Sequence, residues 1–218
     1  MEAFVRSDAL ATRARLVRGG MEPGEFRRVL LAIAVEQRDA WLDLVLGIEA
    51  VSEDGAELPR GCVPYLPSSV DVLLRMVDAA AIDESDVFID LGAGLGRAMF
   101  LTHLLTRATA AGIEVQSQLV EEARALAAGL RLSRCTMSLG DASALGEALQ
   151  GGSVFFLYCP FSGQRLEAVL DALESVASRR EIRICCVDLP LPARPWLTRL
   201  DLPWGDLAIY RGGPLPGG

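Results

Sequence analysis

The stretch that decides the fold is Ile89-Asp90-Leu91-Gly92-Ala93-Gly94-Leu95-Gly96-Arg97. It continues a short apolar run, Val87-Phe88-Ile89, and opens into a helical pattern over about 96–107. Glycines at alternate positions let the chain turn sharply and let a ligand approach the backbone closely. A dinucleotide fingerprint requires glycine where this chain has Arg97. Asp90, two positions before the first glycine, would repel a pyrophosphate but welcome a positively charged ligand.

Downstream the strand–helix alternation continues. Residues 110–115 read as a second strand, and Ser117 as the cap of a helix that turns Val120, Ala123 and Ala127 inward. Cys135–Leu139, Val154–Tyr158 and Ile182–Val187 read as three more strands. Before the last of them, Leu166, Val169, Leu170, Leu173, Val176 and Ala177 form one helical stripe. Apolar strands alternating with amphipathic helices predict a parallel sheet covered on both faces. Right-handed crossovers then wind it doubly. Pro190, Pro192 and Pro195 exclude a full helix after the fifth strand. Two short runs near 197–202 and 206–211, joined by Pro203-Trp204-Gly205, predict an antiparallel hairpin at the edge. The expectation is an α/β, doubly wound, mostly parallel seven-stranded sheet with an antiparallel edge hairpin.

Upstream, Ser69 can cap a helix carrying Val70, Leu73, Leu74 and Val77 on one face. Residues 2–18 and 23–47 read as helices; Pro23 suits a first turn, and Phe26, Leu30, Ile33, Trp41 and Val45 recur near helical spacing. Asp54-Gly55, Pro59, Pro64 and Pro67 mark a linker. A boundary near residue 60 therefore divides an N-terminal helical cap, 1–60, from a core, 61–218.

Composition removes several function classes. The 218 residues carry a formal net charge of −8, and all 21 basic residues are arginine. With no lysine, Schiff-base catalysis and a Walker-type phosphate clamp are excluded; with no asparagine, so is N-linked glycosylation. The acidic balance argues against a broad nucleic-acid surface. Five scattered cysteines without a Cys-x-x-Cys pair read as reduced thiols, and a single histidine, His103, argues against a zinc site. No apolar leader is visible, and the longest uncharged run, 148–164, is broken by Gly151, Gly152 and Pro160. A cytoplasmic protein with no membrane segment is expected.

Two further acidic residues stand at strand ends. Glu114 lies 18 residues beyond Gly96, where a carboxylate can accept both hydroxyls of a ribose. Asp141, in Gly140-Asp141-Ala142 after the third strand, is placed to accept hydrogen bonds from an exocyclic amine. With Asp90 they put carboxylates at three consecutive strand ends.

Over roughly residues 65–211 this constellation resembles the class I S-adenosylmethionine-dependent methyltransferases, which are Rossmann-like. The resemblance implies S-adenosyl-L-methionine as cofactor. Gly92, Ala93, Gly94 and Gly96 would lie against its methionine portion, and Asp90 would orient its ammonium group. Glu114 would hold the ribose, and Asp141 with Ala142 the adenine. The fourth strand ends Tyr158-Cys159-Pro160-Phe161, where the family faces the transferred methyl. Relatives that methylate amino groups often have Asn or Asp, then Pro-Pro and an aromatic; Tyr158 and Cys159 depart from that, which lowers the amino-methylation reading. Pro64-Tyr65-Leu66-Pro67 is similar to a segment that some members place over the site.

The resulting expectation is a methyltransferase acting on a small molecule, with a pocket lined by Tyr65, Tyr158, Cys159, Pro160 and Phe161 and roofed by the N-terminal helices. Two alternatives stay open: a cofactor-fold interaction module without turnover, and a protein methyltransferase. Asp90 and Arg97 disfavour a nicotinamide-dependent oxidoreductase. His103 lies seven residues beyond Gly96, about 10 Å along a helix, and reads as a helix-surface or packing residue. Arg13, Arg15, Arg18, Arg27 and Arg28 read as a solvated helix face.

Overall fold

The computed structural model describes residues 2–48, 66–144, 146–158 and 162–214. Three helices come first: α1 (Glu2–Gly19), α2 (Pro23–Ala32) and α3 (Arg38–Leu46). After α4 (Val70–Ala79) the alternation sets in, with β1 (Val87–Leu91), α5 (Arg97–Thr106), β2 (Thr109–Glu114), α6 (Ser117–Leu130) and β3 (Cys135–Leu139). It continues through the short α7 (Gly146–Leu149), β4 (Val154–Tyr158), α8 (Gln164–Ala177) and β5 (Ile182–Val187), and closes with β6 (Leu197–Arg199) and β7 (Leu207–Gly212).

The seven strands form one sheet in the order β3-β2-β1-β4-β5-β7-β6. β1 to β5 run parallel, β7 pairs antiparallel with β5, and β6 closes the edge as the outer arm of the β6–β7 hairpin. β1 pairs with both β2 and β4, so the strand order reverses between β1 and β4. That reversal is the switch point where an open α/β sheet leaves a crevice beyond its carboxyl ends.

Side chains alternate across the pleat, so neighbours in sequence enter different cores. Phe88, Phe156 and Cys185 join the cluster under α4, α5 and α6, whereas Ile89, Phe155 and Cys186 join the cluster under α8. Burial pushes the Cys135 and Cys185 thiols up to about 12, so both are protonated packing groups.

The N-terminal helices belong to the first of these cores. Phe26, Leu30, Trp41, Leu42, Val45 and Leu46 are fully buried in the cluster that contains Phe100 and Leu104. Where they are described, α1–α3 form a third layer over α4–α6, and the Trp41 indole N–H donates to Asp8 Oδ1 at 2.7 Å. The boundary drawn near residue 60 and the linker around it lie outside the described residues.

Three local expectations are corrected. The helix read over 23–47 is broken: α2 ends at Ala32, and Ile33 and Ala34 are extended. Arg38 makes the break tolerable, because its guanidinium donates to the carbonyls of Leu31 and Ile33 and pairs with Asp71 of α4 at 2.7 Å. Gln116, not Ser117, is the N-cap of α6, and Ser117 is the first helical residue. The N-terminal arginines also do more than face solvent: Arg13 donates to the Val45 carbonyl, Arg15 pairs with Glu25, and Arg27 pairs with Asp78 at 2.5 Å. Ser69 does cap α4, accepting from the Val72 N–H.

Candidate active site

The turn after β1 is built on left-handed backbone, with φ of +89° at Gly92, +52° at Gly94 and +79° at Gly96. Only glycine adopts such angles without strain. The N–H groups of Gly92 and Ala93 donate to the Ile113 carbonyl at 2.9 and 3.1 Å, which anchors the turn to the end of β2. Gly112 makes that approach possible: a Cβ there would lie 2.7 Å from the Ala93 Cβ and 2.3 Å from the Met137 sulfur. β1, β2 and β3 therefore meet around a glycine that cannot grow.

Glu114, at the end of β2, is buried and holds the turn from the other side. Its Oε2 accepts from the Gly94 N–H at 2.9 Å, while Oε1 accepts from the N–H groups of Val115 and Gln116 at 2.8 and 2.9 Å. A carboxylate offers about four lone-pair directions, and these three bonds leave one, on Oε2. The expected contact to two ribose hydroxyls would need two open directions; the geometry of Glu114 offers one.

Asp90 ends buried between the turn and α5. Burial pushes its carboxyl up to about 8, the neighbouring Glu114 carboxylate adds to the rise, and a hydrogen bond from the Met99 N–H opposes it. A carboxylate so placed gains from any cation that enters the crevice.

Asp141 follows β3, the next strand outward. Its Oδ1 accepts from the Ser143 N–H at 3.0 Å and from the Ser143 hydroxyl at 2.6 Å, and its Oδ2 pairs with Arg165 of α8. Burial raises the Asp141 carboxyl, yet the Ser143 and Arg165 contacts outweigh it and leave it below the usual range. Ala142 is buried in the cluster that includes Ile113 and Leu149.

The structure thus brings Asp90, Gly92, Ala93, Gly94, Gly96 and Glu114 together, with Asp141 and Ala142 at the adjoining strand end. On the other side of the switch point Tyr158 is half-buried at the end of β4, opposite Val187 of β5. Tyr65, Cys159, Pro160 and Phe161 lie outside the described residues.

His103 is buried, not on the helix surface, and its Nδ1 bonds the Ala108 carbonyl at 2.8 Å, so it serves as a packing residue of the β2 entry. Burial holds its imidazole below the ordinary value, against the pull of that bond. Two ion-pair contacts near the site have no signal in the sequence. Arg165 reaches Asp141 across 24 positions, and Arg97 is held by Asp39 and Asp43 of α3. The Asp39/Asp43 spacing places two carboxylates on one helix face, but nothing local says which cation they meet. Among the described residues no group of three or more His, Cys, Asp or Glu could hold a metal ion, and no helix is long and apolar enough to cross a membrane.

No protein-family model matches the chain, and no curated protein matches it in sequence. Solved structures do. An RNA methyltransferase from Salinibacter ruber, in complex with S-adenosyl-L-homocysteine, is 25% identical, with a TM-score of 0.55 over 70% of this chain and 95% of that one. The putative methyltransferase yhhF from Escherichia coli is 20% identical, with a TM-score of 0.56 over 72% of this chain and 91% of that one. A precorrin-6y C5,15-methyltransferase from Geobacter metallireducens GS-15 is 15% identical, with a TM-score of 0.51 over 70% and 92%. Strand order, reversed β7, glycine turn and these likenesses agree: the chain has the class I S-adenosylmethionine-dependent methyltransferase fold.

Proposed function

We propose that the protein is an S-adenosyl-L-methionine-dependent methyltransferase whose acceptor is a small molecule. The observation that carries this is the buried carboxylate pair Asp90 and Glu114 facing one glycine turn, with a lone pair of Glu114 Oε2 still open. A cationic ligand with a ribose hydroxyl satisfies both groups. Asp90 would hold the ammonium, the turn Gly92–Gly96 the methionine backbone, Glu114 a ribose hydroxyl, and Asp141 with Ala142 the adenine edge. When bound, the cofactor would supply an electrophilic sulfonium methyl for transfer to a lone pair of the acceptor. What this asks of the chain is alignment and exclusion of water, with a base needed only for an acceptor that arrives protonated. The acceptor would sit beyond β4 and β5, against Tyr158, with Tyr65, Cys159, Pro160 and Phe161 as the proposed remainder of its wall.

A small molecule is favoured over a nucleic acid by the net charge of −8. Arg15, Arg27, Arg38, Arg75, Arg183 and Arg194 are moreover already engaged with carboxylates. The likeness to the Salinibacter ruber RNA methyltransferase supports an RNA acceptor as the second reading. Incubating the protein with methyl-labelled cofactor and a cell extract, then separating metabolites, RNA and protein, distinguishes the two. Label among the metabolites is expected. Label confined to RNA or protein would overturn the acceptor class, and binding without label in any fraction would favour an interaction module.

A further inference from the structure

Arg97 is the residue that breaks the dinucleotide pattern, and its surroundings give it another task. It opens α5 directly after Gly96, yet it is only 4% exposed, and arginines are almost never so buried unless paired. Its Nη2 lies 2.8 Å from Asp39 Oδ1 and donates to the Asp39 carbonyl at 3.0 Å, while its Nε lies 3.4 Å from Asp43 Oδ1. Asp39 and Asp43 share one face of α3. Asp39 also accepts from the Val70 N–H at 2.8 Å, which ties the clamp to the first turn of α4. The fit is incomplete, because Nε has no hydrogen-bond partner among the described residues.

The glycine turn that ends at Gly96, directly before Arg97, is also flanked by two buried acidic residues. Asp90 and Glu114 are both buried there, and Gly94, three residues before Arg97, already touches Glu114. An arginine fork matches a carboxylate geometrically and would compete directly with an ammonium group. We infer that Asp39 and Asp43 are positioning residues for the cofactor site. By holding the Arg97 guanidinium on the N-terminal helices, they keep it out of the acidic crevice and leave Asp90 and Glu114 to a cationic ligand. The identity of that ligand rests on the methyltransferase reading above; the clamp itself rests on geometry.

The test follows from the rivalry. Full-length wild type, Asp39→Ala/Asp43→Ala, and the same pair combined with Arg97→Met are titrated with S-adenosyl-L-methionine by calorimetry, with thermal unfolding as control. The paired variant is expected to bind at least tenfold more weakly, and removing the arginine should recover most of that loss while leaving the melting temperature low. A merely structural clamp predicts the opposite, since a triple variant without any clamp would bind no better than the pair. Wild-type affinity in the paired variant, or no recovery in the triple, overturns the inference. Should the pair fail to fold, Arg97→Met alone decides: near-wild-type affinity in a less stable protein supports the inference, and a tenfold loss overturns it. Wild type that bound neither the cofactor nor S-adenosyl-L-homocysteine would bring down the methyltransferase reading itself, a result distinct from binding without rescue.

Discussion

Beyond the ends of β1 and β2 the chain is held by backbone N–H groups on buried carboxylates, whereas beyond β5 it is held by side chains from separate segments. In the first half Glu114 collects three N–H donors within two residues of itself and from the adjoining turn. In the second, Arg75 of α4 grips Asp206 through two bonds of 2.9 and 2.6 Å and lies 5.2 Å over the Trp204 ring. The Asp206 backbone carbonyl, held in place by that side-chain pair, accepts from the Asp188 N–H at 2.9 Å, where Asp188 adopts a φ of +49°, a conformation glycine favours. The contrast fits the division of labour proposed above. Backbone donors on a buried carboxylate leave little to vary and suit an invariant ligand, while side-chain ties on loops can change with the acceptor.

The largest effect is expected from removing the hub of the rigid half. Glu114→Ala orphans three N–H groups and removes the proposed ligand contact, and should weaken S-adenosyl-L-homocysteine binding by about 1.5–3 kcal/mol, the worth of one bond to a charged group. Calorimetric titration reads this directly, and an unchanged dissociation constant would place the ligand elsewhere. Gly112→Val comes next. Its added carbon atoms would collide with Met137 and Ala93, so thermal or denaturant unfolding should show a loss of about 1–3 kcal/mol together with lost binding. Gly151→Ala, where a Cβ meets nothing within 4 Å, is the matched control and should leave binding unchanged.

How far each half is legible in the sequence follows the same division. β4 begins and ends where its apolar run does, because a strand buried on both faces needs an unbroken run, whereas β3, at the sheet's edge, alternates buried Cys135 and Met137 with exposed Thr136 and Ser138. Asp90, the glycines and Glu114 were readable because strand, turn and helix are local in sequence. Arg38 was not, since its donation to the Leu31 and Ile33 carbonyls is what permits α2 to stop where the periodicity continues. The reach of Arg165 to Asp141 and of Arg97 to α3 depends on topology rather than spacing. No local rule of charge pairing reports a partner 24 or 58 positions away.

A pH series sharpens the electrostatic side of the contrast. The Asp90 carboxyl, raised to about 8 by burial and then by Glu114, stands above its unfolded value of about 4. The folded state therefore holds the extra proton between those values, and stability falls as pH rises through the window, levelling beyond about 8. A cationic ligand favours ionised Asp90, so affinity for S-adenosyl-L-methionine should rise toward pH 8, by at most about tenfold per unit, with a proton released on binding. Asp90→Asn should flatten both profiles in unfolding and titration experiments; a wild-type profile already flat would contradict the account. The smallest effect belongs to the side-chain half. Trp204→Ala should cost about 0.5–1 kcal/mol of stability through the lost ring contact with Arg75, while leaving cofactor affinity within about twofold. A large loss of cofactor affinity there would erase the division between the halves.

The central claim is that Asp90, the glycine turn and Glu114 form a cofactor site, and titration of the full-length protein with S-adenosyl-L-homocysteine tests it most directly. The account predicts saturable binding of one molecule per chain, lost in a folded Glu114→Ala variant. Absence of binding in the folded wild type, or undiminished binding in that variant, would contradict it.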